Sequence, residues 1–121
     1  MQFLLLVYGQ EAHWENLTPA QYGAMQQEYG QFTKEITEKG KNLGSNRLKP
    51  VAAAATVRVR DGKRVVTDGP FAETKEQLGG YYLVDAKDIE EAIAIAARIP
   101  AVRHGSVEVR PVFVMEQAAR P

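Results

Sequence analysis

The stretch from Val66 to Val84 limits the possible folds of this chain more than any other. Asp68-Gly69-Pro70 combines a side-chain acceptor for nearby backbone N–H groups, a residue that tolerates positive φ, and a residue with fixed φ and no donor, so the chain must bend there. Glu73, Thr74, Lys75 and Glu76 follow as a polar loop, and Gly79-Gly80 then opens an aromatic strand through Tyr81 and Tyr82. Two strands must therefore flank the loop. Glycines inside such a strand mark a bulge or a place where something approaches the backbone closely.

The chain has 121 residues, the size of one domain with a hydrophobic core of its own. Fifteen Lys plus Arg balance fifteen Asp plus Glu, so no basic excess points to nucleic acid as a partner. With no cysteine there is neither disulfide nor thiol chemistry, which fits a cytoplasmic protein. The apolar run Phe3 to Val7 is too short to span a bilayer and has neither a basic leader nor a small-residue cleavage site. It reads as a strand from Gln2 to Tyr8, and its five consecutive apolar positions predict burial on both faces.

Thr18-Pro19-Ala20-Gln21 supplies an N-cap, a proline at the first helical position and a capping-box glutamine. The helix it starts carries Tyr22, Met25, Tyr29, Phe32 and Ile36 as an apolar stripe and stops at Gly40. Asn42 to Leu48 is a short strand or an extended connection ending before Pro50, and Ala52 to Arg60 is a strand. Asp61-Gly62 turns the chain into a returning strand through Thr67, because both central residues of a type I′ turn need positive φ. Gly79 to Asp85 is a strand. Asp88 and Glu91 form a second capping box for a helix from Ile89 to about Arg98, with Ala92, Ile93, Ala96 and Ala97 as its buried side. A last strand runs from Ser106 to Met115, with Val107, Val109 and Phe113 on one side and Glu108, Arg110 and Val114 on the other. Residues 117–121 read as a frayed tail after a single domain over 1–116.

This order predicts an α+β, ferredoxin-like split βαβ fold with an extra β-hairpin: an antiparallel sheet with two helices on one face. Two helices cover one face only, so the doubly apolar first strand calls for a second sheet on the other, most simply from a homodimer. Polar side chains inside such a barrel, Arg58, Glu108 and Arg110, would need partners there.

The run from Asp68 to Tyr82 closely resembles the signature of the DGPF, or YCII-related, family. The likeness extends to Tyr8-Gly9, Trp14, Thr18-Pro19, Thr56-Val57-Arg58, Asp61-Gly62 and Gly105 to Pro111. It implies a dimeric α/β barrel, in a family often encoded near extracytoplasmic-function sigma factors, which brings in such a factor as a partner for a regulatory dimer. Relatives in the smaller YCII branch resemble enzymes that use a histidine and aspartate pair for acid–base work on muconate-type compounds. In this chain the corresponding positions are held by Gln21 and Ile99. Catalysis would thus fall to other residues.

Asp68 and His104 are the catalytic candidates. Asp68 can act as a base or serve as a turn former bonded to its own backbone; His104 can transfer protons or be a turn residue before the last strand. His13 is a weaker candidate of the same kind. Lys75 is a candidate anion binder, with a loop ion pair to Glu73 or Glu76 as its structural alternative. Arg58, Glu108 and Arg110 form either a ligand-binding set or an internal salt-bridge network. Tyr81 and Tyr82 point to opposite faces, with Tyr81 expected to line a cavity. No phosphate loop, cofactor fingerprint or metal-ligand cluster stands in the sequence. Two readings follow: a small-molecule enzyme or binding protein with an anionic ligand, and a non-catalytic regulatory dimer.

Overall fold

The computed structural model describes residues 1–115. The elements are β1 (Gln2–Gly9), α1 (Glu11–Glu15), α2 (Pro19–Glu38), β2 (Asn42–Arg47), β3 (Ala55–Arg60), β4 (Lys63–Asp68), β5 (Gln77–Asp85), α3 (Ile89–Ala96) and β6 (Ser106–Pro111). Four strands form an antiparallel sheet in the order β2-β5-β1-β6, and β3 pairs with β4 alone. This is the α+β, ferredoxin-like arrangement with an inserted hairpin. The expected frayed tail at 117–121 lies outside the described residues.

Local chemistry sets the ends of these elements. Thr18 Oγ1 accepts from the Gln21 N–H at 3.2 Å while Gln21 Oε1 accepts from the Thr18 N–H at 2.9 Å, which closes the capping box. At the other end of α2, Gly40 has φ of 70°; its N–H donates to Thr37 O and that of Lys41 to Ile36 O, the paired bonds of a Schellman stop. Asp61 and Gly62 both have positive φ, at 51° and 72°, as a type I′ turn requires.

The core lies between the sheet and the two longer helices. Phe3 and Leu5 of β1 and Tyr82 and Val84 of β5 meet Phe32 and Ile36 of α2 and Ala92, Ile95 and Ala96 of α3. Each large apolar side chain sealed here contributes about 1.5–3 kcal/mol. Leu4 and Leu6 point the other way and are only half-buried, so within one chain β1 is covered on one face, not both. That second face also carries Tyr81, Leu83, Glu108 and Arg110, by the pairings Leu4 with Leu83 and Arg110, and Leu6 with Tyr81 and Glu108.

Several boundaries differ from the sequence reading. Val51–Ala53 is a 3-10 turn, closed by the Ala53 N–H on Pro50 O, so β3 begins only at Ala55. Residues Glu11–Glu15, read as loop, form α1. Asp88 does cap α3, accepting from the Glu91 N–H at 2.9 Å, but Glu91 Oε1 accepts from the Lys87 N–H and Lys41 Nζ and leaves the reciprocal bond unmade. The helix stops at Ala96, and its buried side is Ala92, Ile95 and Ala96, continued by Ile99, while Ile93 and Ala97 face outward. β6 ends at Pro111 because its partner β1 begins opposite, with Phe3 aligned to Pro111, and Phe113 beyond it is 72% exposed.

Candidate functional site

The two glycines of the signature shape one end of the sheet. Val7 pairs with Gly80 and Tyr8 with Leu78, so Gly79 is the extra residue of a bulge. Gly80 is buried, and a Cβ there would stand 2.9 Å from Asn46 O. A Cβ on Gly105 would collide with Tyr8 O. These close backbone approaches draw β5 against β2 and the start of β6 against the end of β1.

A cleft of about 540 Å³ opens there, lined chiefly by Trp14, Tyr22, Tyr29, Arg47, Tyr82 and His104. Its aromatic wall is continuous: the Trp14 ring lies 5.9 Å from Tyr29 and 6.3 Å from Tyr22, the latter edge-on. Arg47, the last residue of β2, holds its guanidinium carbon 4.9 Å from the Trp14 centroid and 5.6 Å from that of Tyr22. Its Nη1 donates to Tyr22 Oη at 2.7 Å, and among the described residues no carboxylate pairs with it. Glu11 and Glu15 reach the rim, but the Glu11 carboxylate is taken up by the Val51 N–H at 2.9 Å. Burial, with Tyr82 beside it, pushes the Tyr29 hydroxyl up to about 12. Burial likewise raises Tyr82, whose hydroxyl lies 2.9 Å from Thr33 Oγ1. Both phenols therefore stay protonated at neutral pH.

His104 closes the far side of the cleft and stacks on His13 of α1, with ring centroids 3.9 Å apart and planes 29° from parallel. His13 Nε2 and both ring nitrogens of His104 are buried without a hydrogen-bond partner among the described residues. Burial first, then the neighbouring His13 and Arg103, hold His104 below the usual imidazole range, and the nearby Glu76 offsets this in part. The imidazole is neutral at pH 7. The signature loop braces this end: Gln77 Oε1 accepts from the Glu11 N–H at 3.0 Å, Gln77 Nε2 donates to Thr74 O at 2.7 Å, and Glu76 Oε1 accepts from Ser106 Oγ at 2.7 Å.

Across its length the chain matches the model of the YCII-related domain over residues 1–116. The chain belongs to the YCII-related family. It is also 34% identical, over its whole length and 99% of the other chain, to an uncharacterised protein of Rhizobium meliloti (strain 1021).

Within this YCII-related chain the residues singled out by sequence fall in three places. His104 is at the cleft, and Tyr81, expected to line a cavity, is on its lining too. Tyr81, Glu108 and Arg110 share the open face of the sheet; Arg110 Nε donates to Glu108 Oε2 at 2.7 Å, and Tyr81 Oη accepts from Asn46 Nδ2 at 2.8 Å. Arg58, Asp68 and Lys75 lie on the hairpin and the loop after it, where Asp68 and Lys75 are exposed and Arg58 is half-buried. Next to Asp68, the Gly69 N–H donates to Ala54 O and Thr56 Oγ1 donates to Gly69 O, so backbone and hydroxyl hold this turn. Arg47 carries no sequence signal of a site, and Tyr22 and Tyr29, expected as part of the core stripe, line the cleft. The one local signal is compositional: the first half of that stripe holds two tyrosines, Tyr22 and Tyr29, on either side of Met25, and a tyrosine hydroxyl needs a wet or polar end, whereas the second half is Phe32 and Ile36. Among the described residues no three His, Cys, Asp or Glu side chains gather to hold a metal.

Proposed function

We propose that this YCII-related protein binds a small planar anion in the cleft, as a homodimer whose second subunit covers the open sheet face. The observation that carries the reading is Arg47: a cation without a carboxylate partner among the described residues, set against two aromatic rings at the edge of a cleft of ligand size. A guanidinium offers a fork of donors that fits a carboxylate or phosphate, and the Trp14, Tyr22 and Tyr29 rings offer faces and edges to a flat apolar body. His104, neutral and on the lining, is the group positioned to accept a proton from such a ligand should the cleft support chemistry.

Isothermal titration calorimetry with benzoate and with inorganic phosphate tests the reading. Binding by the wild type, weakened roughly 10- to 100-fold in Arg47→Ala and little restored in Arg47→Lys, is the expected pattern, since the point charge of lysine cannot reproduce the fork. Equal binding by wild type and Arg47→Ala would remove the anion site from the cleft.

A further inference from the structure

The β3–β4 hairpin stands apart from the four-stranded sheet and, among the described residues, pairs with no other strand. A two-stranded ribbon is marginal in water without cover on one face. Its register pairs Ala55 with Asp68, Val57 with Val66 and Val59 with Arg64, and alternation puts these six residues on one face. The other face carries Thr56, Arg58, Arg60, Lys63, Val65 and Thr67. The first face is open: Val57, Val59 and Val66 are 60%, 63% and 55% exposed, and neither Arg64 nor Asp68 has an ion-pair partner among the described residues.

We infer that this face packs on the same face of a second copy of the chain, with Arg64 of each copy paired to Asp68 of the other. The argument is one of self-complementarity. Consider a two-fold axis lying between the two faces, perpendicular to the strands and passing at the level of Val57 and Val66. It sets β4 over β4 with opposite directions, so Val66 meets its own copy at the centre. Asp68 at the base of one ribbon then faces Arg64 near the tip of the other, twice. On the β3 side Val57 meets its copy, and Val59 meets Ala55. One apolar centre and two opposite-charge ends are thus all satisfied by a single symmetry operation, as an isologous contact requires. Stacked sheet faces sit about 10 Å apart, close enough for these side chains to interdigitate.

A ribbon face of this length covers roughly 200 Å² per chain, by strand rise and spacing, against about 800 Å² per partner in a typical stable interface. The hairpin contact therefore adds to the dimer proposed above, on which this inference rests, and does not carry it alone. It fixes which way round the two copies meet.

The test is sedimentation equilibrium of the full chain at low salt, for wild type, Arg64→Asp, Asp68→Arg and the double exchange. Each single reversal sets two like-charge pairs against each other and is expected to weaken dimerisation about tenfold or more; the double exchange restores it to within about threefold. Circular dichroism of the monomer remains unchanged, because both side chains are exposed. A wild-type dimer indifferent to the single reversals, or a double exchange as weak as either single, overturns the hairpin contact and leaves the dimer standing. A wild type that stays monomeric at every concentration overturns both.

Discussion

Single residues here are chosen by what stands next to their Cα. Gly105 and Gly30 make the contrast. A methyl at Gly105 meets Tyr8 O, an atom of a central strand that cannot move without disturbing two pairings, whereas at Gly30, on the exposed side of α2, it meets nothing within 4 Å. Gly105→Ala is expected to destabilise by about 1–3 kcal/mol through overpacking. Gly30→Ala should stabilise by about 0.5–1 kcal/mol, because alanine gives up less backbone freedom on entering a helix. Urea unfolding of both variants checks the opposite signs. Arg47 owes its place to more than its neighbours in sequence. Its neighbours in sequence mark it only as a strand residue near Pro50; its partner Tyr22 is 25 positions away, and the packing of α2 on the sheet is what brings them to 2.7 Å.

Elements whose ends depend on adjacent residues were legible in the sequence. The box at Thr18, the stop at Gly40 and the turn at Asp61-Gly62 each need only three or four side chains and a φ angle. Removing the first of these, Thr18→Ala, should cost about 1 kcal/mol and lower the melting temperature, with the rest of the fold intact. The buried side of α3 differs from the one expected from its sequence for a physical reason. Its eight residues, Ile89 to Ala96, hold only two polar side chains, Glu90 and Glu91, so no polar face fixes its phase. The packing against β1 and β6 selected Ile95 over Ile93. β6 ends short of the expected Met115 because alternation continues past Pro111 in the sequence while the partner strand does not. A strand's length is a property of the pair.

For the whole molecule, the stack of His13 on His104 links α1 to the segment after α3 and makes stability depend on pH. The groups facing His104 are His13, Arg103 and Glu76. Its folded pKa lies below its unfolded value of 6.5, so between the two the unfolded chain binds more protons and stability rises with pH. This contribution is complete above 6.5 and is lost as pH falls through the folded pKa. His104→Phe keeps an aromatic ring on His13 but cannot titrate there; the fall in urea midpoint between about pH 6.5 and pH 5 is expected to be shallower than in wild type. The open sheet face and the hairpin both leave apolar groups uncovered, which a local reading of β1 anticipated for the sheet but could not extend to the hairpin, whose valines alternate with cations. One feature of the cleft also has an optical meaning. The chain has a single tryptophan, and it is the one held between the Arg47 cation and the rings of Tyr22 and Tyr29. Its ultraviolet emission comes from one place only, and light absorbed by the two tyrosines is within easy transfer range of it. The molecule therefore carries its own lamp beside the cleft. A guest that draws Arg47 off the indole would change the colour and brightness of that lamp with no label attached.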